Sequence, residues 1–359
     1  MTLAKLIKER SVIVCCGSGG VGKTTTSAAI ALAAAQLGRH TCVVTIDPAR
    51  RLADALGLGE LTNTPHRIEG PWRGELDAVM LDARGTFDRL VSEHARDAEQ
   101  AARIFENRLY RNLVSALSGT QEYMATEKLY ELYDTGRYDL IVVDTPPSRH
   151  ALDFLAAPQR LTAFLDNKLF RLLLAPGRAS LRAVSVASQV LLKTIAKVAG
   201  KEIVEDTIAF FQAFDGMEQG FRDRAAAVDA LLRGASTAFV LVTTPRRDAI
   251  TEANYFTARL EETGRGVDLL ISNRMHPDFG PPPADEAAAG AGEESAWSDL
   301  IENLGDLASI TSREEEVVAA LSGPAAAAAL LRVPLLADDV HDLEGLAGLV
   351  RQLLGEALP

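Results

Sequence analysis

One stretch limits what this chain can fold into: Gly17-Ser18-Gly19-Gly20-Val21-Gly22-Lys23-Thr24-Thr25-Thr26. Before it runs an apolar segment, Ser11 to Cys16, that reads as a buried strand. After it comes Ser27 to Leu37, a run of strong helix formers. Strand, glycine loop and helix in that order make a phosphate-binding loop. The glycines let successive backbone N–H groups turn inward toward phosphate oxygens. The helix behind them presents its free N–H groups and the positive end of its dipole. Lys23 adds a point charge for the β- and γ-phosphates, and Thr24 offers a hydroxyl to Mg²⁺. A chain built this way is expected to be α/β, with a doubly wound, mostly parallel sheet.

Composition removes several alternatives. The chain has 359 residues and a formal net charge of −12, without a basic tract. Nucleic-acid binding and docking on anionic lipid are therefore not expected. No apolar run approaches the roughly 18 residues that a membrane-spanning helix needs, and the charged start, MTLAKLIKERS, is not a signal peptide. A soluble cytoplasmic protein is expected. Cys15, Cys16 and Cys42 fall in predicted strands and have no metal-ligand spacing, so they read as small buried hydrophobes.

The rest of the chain alternates as a doubly wound domain should. Thr41 to Ile46 is a second buried strand, ended by Asp47-Pro48. A carboxylate at that end of a strand lies where open α/β sheets bind ligands, so Asp47 is expected to face the nucleotide. Residues 63–75 are turn-rich, and Leu76 to Asp82 reads as a third strand. Residues 86–117 and 122–133 read as helical. Tyr138 to Asp144 is the cleanest strand, with four apolar residues leading to an acid. Asp144 is expected to act at the Mg²⁺ shell. Residues 148–234 hold no strand pattern and read as helices over 161–174, 181–198 and 203–214. Strands return at 237–243 and 267–272, with a helix at 248–262 between them. Residues 276–295 are rich in Pro, Gly, Ala and acid, a mobile-loop composition. Helix is expected at 314–331, with the alanine run 325–329 packed tightly. A short strand and turn follow at 332–336, then an amphipathic helix at 342–358. The expected division is a nucleotide-binding core of 1–83, 137–158 and 234–359, with a helical subdomain of 84–136 and 159–233. That subdomain packs on itself or offers a groove to a partner's apolar helix.

With these residues placed, the chain resembles the arsenite-pump and tail-anchored-protein-targeting ATPases. These sit within the dimeric, deviant phosphate-loop class that includes septum-site and plasmid-partition ATPases. The segments that carry the resemblance are CCGSGGVGKTTTSAAIALA, VVTIDPARRLADAL, YDLIVVDTPPSRHALDFLAAP, LLISNR and RVPLLADDVHDLEGL, in that order. The resemblance implies an ATP-hydrolysing switch that uses ATP and Mg²⁺. It implies that Gly17, Gly19, Gly20, Val21, Gly22, Lys23, Thr24 and Thr25 form the nucleotide loop. Asp47 then matches the first switch carboxylate, which positions the attacking water, and Asp144 matches the second-switch acid. His150 matches a histidine of that second segment. Asn273 matches the asparagine that recognises adenine, and Pro334 lies in the turn flanking the base.

Four departures qualify what is implied. The class carries, where Ser18 stands, a lysine that reaches the partner's phosphates across the dimer. Serine cannot supply that charge, which by analogy with arginine fingers is worth about 10³-fold or more in rate. The isolated chain is therefore expected to hydrolyse ATP weakly; the assembly is either a homodimer or a heterodimer with a lysine-bearing paralogue, and such a paralogue is expected to raise the activity. The rival reading is a nucleotide-binding scaffold or regulatory subunit that hydrolyses little itself. Arg50 stands where the family has histidine, either as a solvated arginine or as a partial replacement for the missing charge. The metalloid-binding cysteine triad is absent, which points to targeting or chaperoning of hydrophobic or membrane-protein clients over arsenite export. The zinc-clamping CxxC is absent as well, and 84–233 contains just Met124 and Met217, little for a soft client groove.

Overall fold

In the chain's computed structural model, residues 1–47, 49–108, 110, 120–166, 206, 209–210, 212–280 and 294–355 are described. Eight strands form one sheet: β1 (Val12–Gly17), β2 (His40–Thr45), β3 (His66–Ile68), β4 (Glu75–Met80), β5 (Leu140–Asp144), β6 (Thr237–Thr243), β7 (Leu269–Met275) and β8 (Ala329–Pro334). Their order is β3-β4-β2-β5-β1-β6-β7-β8, and every pairing is parallel except β3 with β4. This is the expected α/β sheet. The central strands are buried on both faces, which is why their sequences run apolar without alternation.

Each face carries its own helix layer. On one lie α1 (Leu3–Glu9), α2 (Lys23–Gln36), α3 (Arg51–Ala55) and, from the far end of the chain, α12 (Leu343–Leu354). The small side chains Ala28 to Ala35 let α2 sit close beneath the sheet and beside α12. On the other face lie α6 (Thr120–Asp134), α7 (Ser148–Leu165), α8 (Glu218–Arg233), α9 (Arg247–Glu262) and the short α11 (Pro324–Ala327). No described helix is long and apolar enough to cross a membrane.

A third cluster stands apart from the sheet. Leu90 and Val91 of α4 (Ala83–His94) and Ile104 of α5 (Ala98–Glu106) meet Tyr123 and Met124 of α6, Ala157 and Leu165 of α7, and Phe210, Phe214 and Phe221. Among these described residues the apolar side chains pack on each other; the Phe210 and Phe214 rings lie 4.8 Å apart. Most of 161–214 lies outside the described residues, including the helix expected at 181–198. α7 belongs to two cores. Ala151, Phe154 and Leu155 pack under the sheet, whereas Ala157 and Leu165 pack in the helical cluster, with Pro158 inside the helix at the junction.

Four elements differ from expectation. The first residues form α1, whose Leu3, Leu6 and Ile7 are buried, with Arg39 gathering the carbonyl oxygens of Ile7, Arg10 and Asp139. The turn-rich 63–75 contains β3, an antiparallel edge strand whose Arg67 pairs with Glu75 and Asp77. The late helix starts far earlier than expected: α10 spans Glu294–Ala319. The alanine run is divided, because Gly323 (φ 56°) and Pro324 restart a single helical turn and Ala329 already lies in β8. Of the loop expected at 276–295, residues 281–293 lie outside the described residues. Its first residue is anchored, since the backbone N–H of His276 donates to Glu314 (2.8 Å) and its ring Nδ1 lies 2.7 Å from the same carboxylate.

If α1 is part of the core, Leu6→Ala lowers unfolding free energy by about 3 kcal/mol, read by urea denaturation. A change below about 0.5 kcal/mol would show that α1 is a loose appendage.

Candidate functional site

The sheet's order reverses around β1, so a crevice opens at the carboxyl ends of β1, β5 and β6. The glycine loop fills that crevice. A side chain at Gly17 (φ 150°) would place its Cβ 2.1 Å from the Val242 carbonyl oxygen of β6, so only glycine lets the two strands end side by side. Gly22 (φ 92°) caps α2, and a Cβ there would lie 2.4 Å from Asn273 Nδ2. The loop thus delivers Lys23 and Thr24 into the first turn of α2.

Lys23 is 8% exposed and lies back over the loop, its ammonium donating to the Ser18 carbonyl at 2.7 Å. Two further N–H bonds of the ammonium remain to be given. Burial lowers its pKa, with Asp144 opposing that shift.

Beneath Lys23 lies a chain of polar contacts. Parallel register sets Cys15, Asp144 and Thr45 abreast on β1, β5 and β2. Oδ2 of Asp144 accepts hydrogen bonds from the Thr24 and Thr45 hydroxyls, each at 2.9 Å. Oδ1 is buried and has no hydrogen-bond partner among the described residues. Asp144 is 0% exposed, and burial pushes its pKa up to about 6 although both hydroxyls and the Lys23 charge favour the carboxylate. The Thr45 hydroxyl accepts in turn from the Asp47 N–H at 3.2 Å. The Asp47 carboxylate accepts from the Ala49 N–H at 2.9 Å, and the Arg51 guanidinium lies 3.7 Å from it.

These residues fit Mg²⁺. A buried carboxylate oxygen without a partner, next to a threonine hydroxyl, is an expensive arrangement unless a cation or its water completes it. Thr24 and Asp144 would hold the ion, which would draw negative charge off the phosphate oxygens.

The expected nucleotide-loop residues Gly17, Gly19, Gly20, Val21, Gly22, Lys23 and Thr24 therefore meet Asp47 and Asp144 at one place. Thr25 is half-buried on α2. Asn273 is spent on the loop itself: its Nδ2 donates to the Val21 carbonyl (2.9 Å), and its Oδ1 accepts from the Arg274 N–H (3.0 Å). Arg274 (φ 61°) also reaches the Gly20 carbonyl at 3.2 Å. Pro334 sits opposite Met275 at the end of β8. His150 lies in the first turn of α7, and its side chain is outside the described residues. Arg50 turns away to Glu60 (3.9 Å) and is 68% exposed.

Residues 10–303 match the model of a family described as anion-transporting ATPase. The chain belongs to that family. It is 30% identical over 277 residues to an uncharacterized protein of Streptomyces coelicolor, covering 76% of this chain and 64% of that protein. It is 28% identical over 279 residues to ATPase GET3B of Arabidopsis thaliana, covering 73% of this chain and 63% of that protein. It is also 28% identical over 168 residues to ATPase GET3 of Malassezia globosa, covering 46% of this chain and 48% of that protein. In each case the chain matches less than two thirds of the relative's own length.

Sequence reading missed Thr45, Arg51 and Arg274. A threonine closing an apolar strand was the available signal for Thr45. The roles of the two arginines follow from register and turn geometry.

The raised pKa of Asp144 makes stability pH-dependent. Its ordinary value is 3.8 and its folded value about 6. Between them the folded chain keeps a proton that the unfolded chain has released, so this group's contribution falls as pH rises through that window. Asp144→Asn removes the titration. Without nucleotide or divalent cation, the variant's stability relative to the native chain should rise by about 2–3 kcal/mol between about pH 4 and pH 7. A pH-independent difference in urea unfolding would refute the assignment.

Proposed function

We propose that the chain is a Mg-ATP-dependent dimeric switch ATPase. The observation that carries this reading is the unbroken run Thr24–Asp144–Thr45–Asp47 beneath the glycine loop. It ties the residue that follows Lys23 to the Asp144 carboxylate at the end of β5 and, through Thr45, to the backbone N–H of Asp47 just past β2, so a change at the phosphates reaches the segments after both.

In this reading the loop N–H groups and Lys23 bind the β- and γ-phosphates, and Asp47 holds the attacking water in line with the γ-phosphorus. Asn273, from behind the loop, and Pro334, at the rim, border the adenine side. Hydrolysis releases the segment after Asp144, which is the start of α7. Because α7 also packs in the helical cluster, the core (1–83, 137–158 and 234–359) moves the helical region (84–136 and 159–233). With Cys15, Cys16 and Cys42 all buried, no thiol is offered to a metalloid. Targeting or chaperoning of hydrophobic protein clients in the cytoplasm is supported over arsenite export.

Asp47→Asn tests the hydrolytic role. It should lower turnover about 10²-fold or more, with ATP affinity held within about threefold. Unchanged turnover would sink the enzyme reading.

Ser18 favours a second reading, a regulatory subunit completed by a paralogue that carries lysine at this position. Titrating such a paralogue into this chain at fixed Mg-ATP should raise turnover to a plateau at equal stoichiometry. A flat titration would leave no place for the heterodimer.

A further inference from the structure

We infer that Arg51 supplies, from within the same chain, the cation that faces the transferred phosphoryl group, and that the isolated chain's turnover depends on it. This rests on the ATPase reading above. Hydrolysis breaks the bond between the γ-phosphorus and the bridging oxygen. The electron pair leaves with ADP, water oxygen bonds to phosphorus, and the water proton passes by way of Asp47 to phosphate or solvent. Charge builds on the equatorial and bridging oxygens, where positive groups act.

Among the described residues, four cations lie near the loop or the Asp47 turn. Lys23 serves the β- and γ-phosphates from inside the loop. Arg274 holds the Gly20 carbonyl at 3.2 Å from behind the loop. Arg50 is paired with Glu60 and turned to solvent. Arg51 stands at the first residue of α3, against the carboxylate that would hold the attacking water. Its charge and that of Asp47 are both felt at Lys23.

The contact that Arg51 makes is loose. At 3.7 Å it is an ion pair beyond hydrogen-bond length, on a side chain 66% exposed. An exposed pair of this kind is held weakly. A terminal phosphate offers the guanidinium charge-assisted, two-point hydrogen bonding that this pair lacks. With ATP bound, Arg51 moves from the Asp47 carboxylate to the γ-phosphate oxygens. The same movement frees Asp47 to take the water.

The test uses the full chain with Mg-ATP and compares the native protein with Arg51→Ala, Arg51→Lys and Arg50→Ala. Arg51→Ala should lower kcat about 10²–10³-fold, Arg51→Lys should keep an intermediate rate, and Arg50→Ala should stay near native. Affinity for a non-hydrolysable ATP analogue should change by less than about threefold in Arg51→Ala. Aluminium fluoride should tighten ADP binding in the native chain and fail to do so in Arg51→Ala. Native rates and native aluminium fluoride trapping in Arg51→Ala would overturn the inference and leave the ATPase reading standing. An equal loss of analogue affinity and turnover would also overturn it, since Arg51 would then serve ground-state binding. A native chain that binds no ATP, or never hydrolyses it, would remove the ATPase reading and this inference together.

Discussion

The Asp144 carboxylate is the contact on which the other parts of the site depend. It sits at zero exposure, one oxygen shared by two threonine hydroxyls and the other without a partner among the described residues. Such a group raises the free energy of the folded chain unless something binds it. The sheet tolerates this because β1, β2 and β5 are fixed by buried side chains on both faces. The surrounding core absorbs the cost, and the site gains a carboxylate already stripped of water. The register that sets Thr45 beside Asp144 also sets Asp47 just past the strand end.

How much of this could be read from sequence varied with physical cause. β1, β5 and β6 announced themselves because burial on both faces forces continuous apolar runs. β3 did not: three residues hold their place through Arg67 and its two acids on β4, which is tertiary information. α1 was hidden in a charged heptamer whose three buried apolar residues matter only once α2 and α12 cover them. The alanine run favours helix by propensity, yet only one turn restarts at Gly323-Pro324 before pairing with β7 draws Ala329 into β8. In the site, Lys23, Thr24, Asp47 and Asp144 were legible from motif spacing. Thr45 and Arg51 were not, because nothing in a single strand or turn says which neighbour its side chain will meet.

Asn273 has a local role beside the one that resemblance implies. Resemblance points it at a base, and in the fold it also fills the space that Gly22 leaves empty and holds the Val21 carbonyl. With Arg274 it forms a clasp from β7 onto the apex of the loop, so the loop's shape is set from outside the nucleotide as well as from its own glycines. A loop braced this way is organised before ligand arrives, and less entropy is lost on binding.

The position of α7 has a mechanical consequence. From Ser148 to Leu165 the helix covers roughly 25 Å. Its near end follows directly on the Asp144 strand, and its far end lies among the aromatic rings of the outer cluster. A tilt of about five degrees at the near end displaces the far end by about 2 Å, more than a packed interior absorbs without changing side-chain rotamers. Pro158 removes one N–H from the ladder at the point where the helix passes from one core to the other. The lever is therefore stiff in each half and softest at its fulcrum, so strain entering at one end concentrates at a single peptide unit and does not spread along the rod.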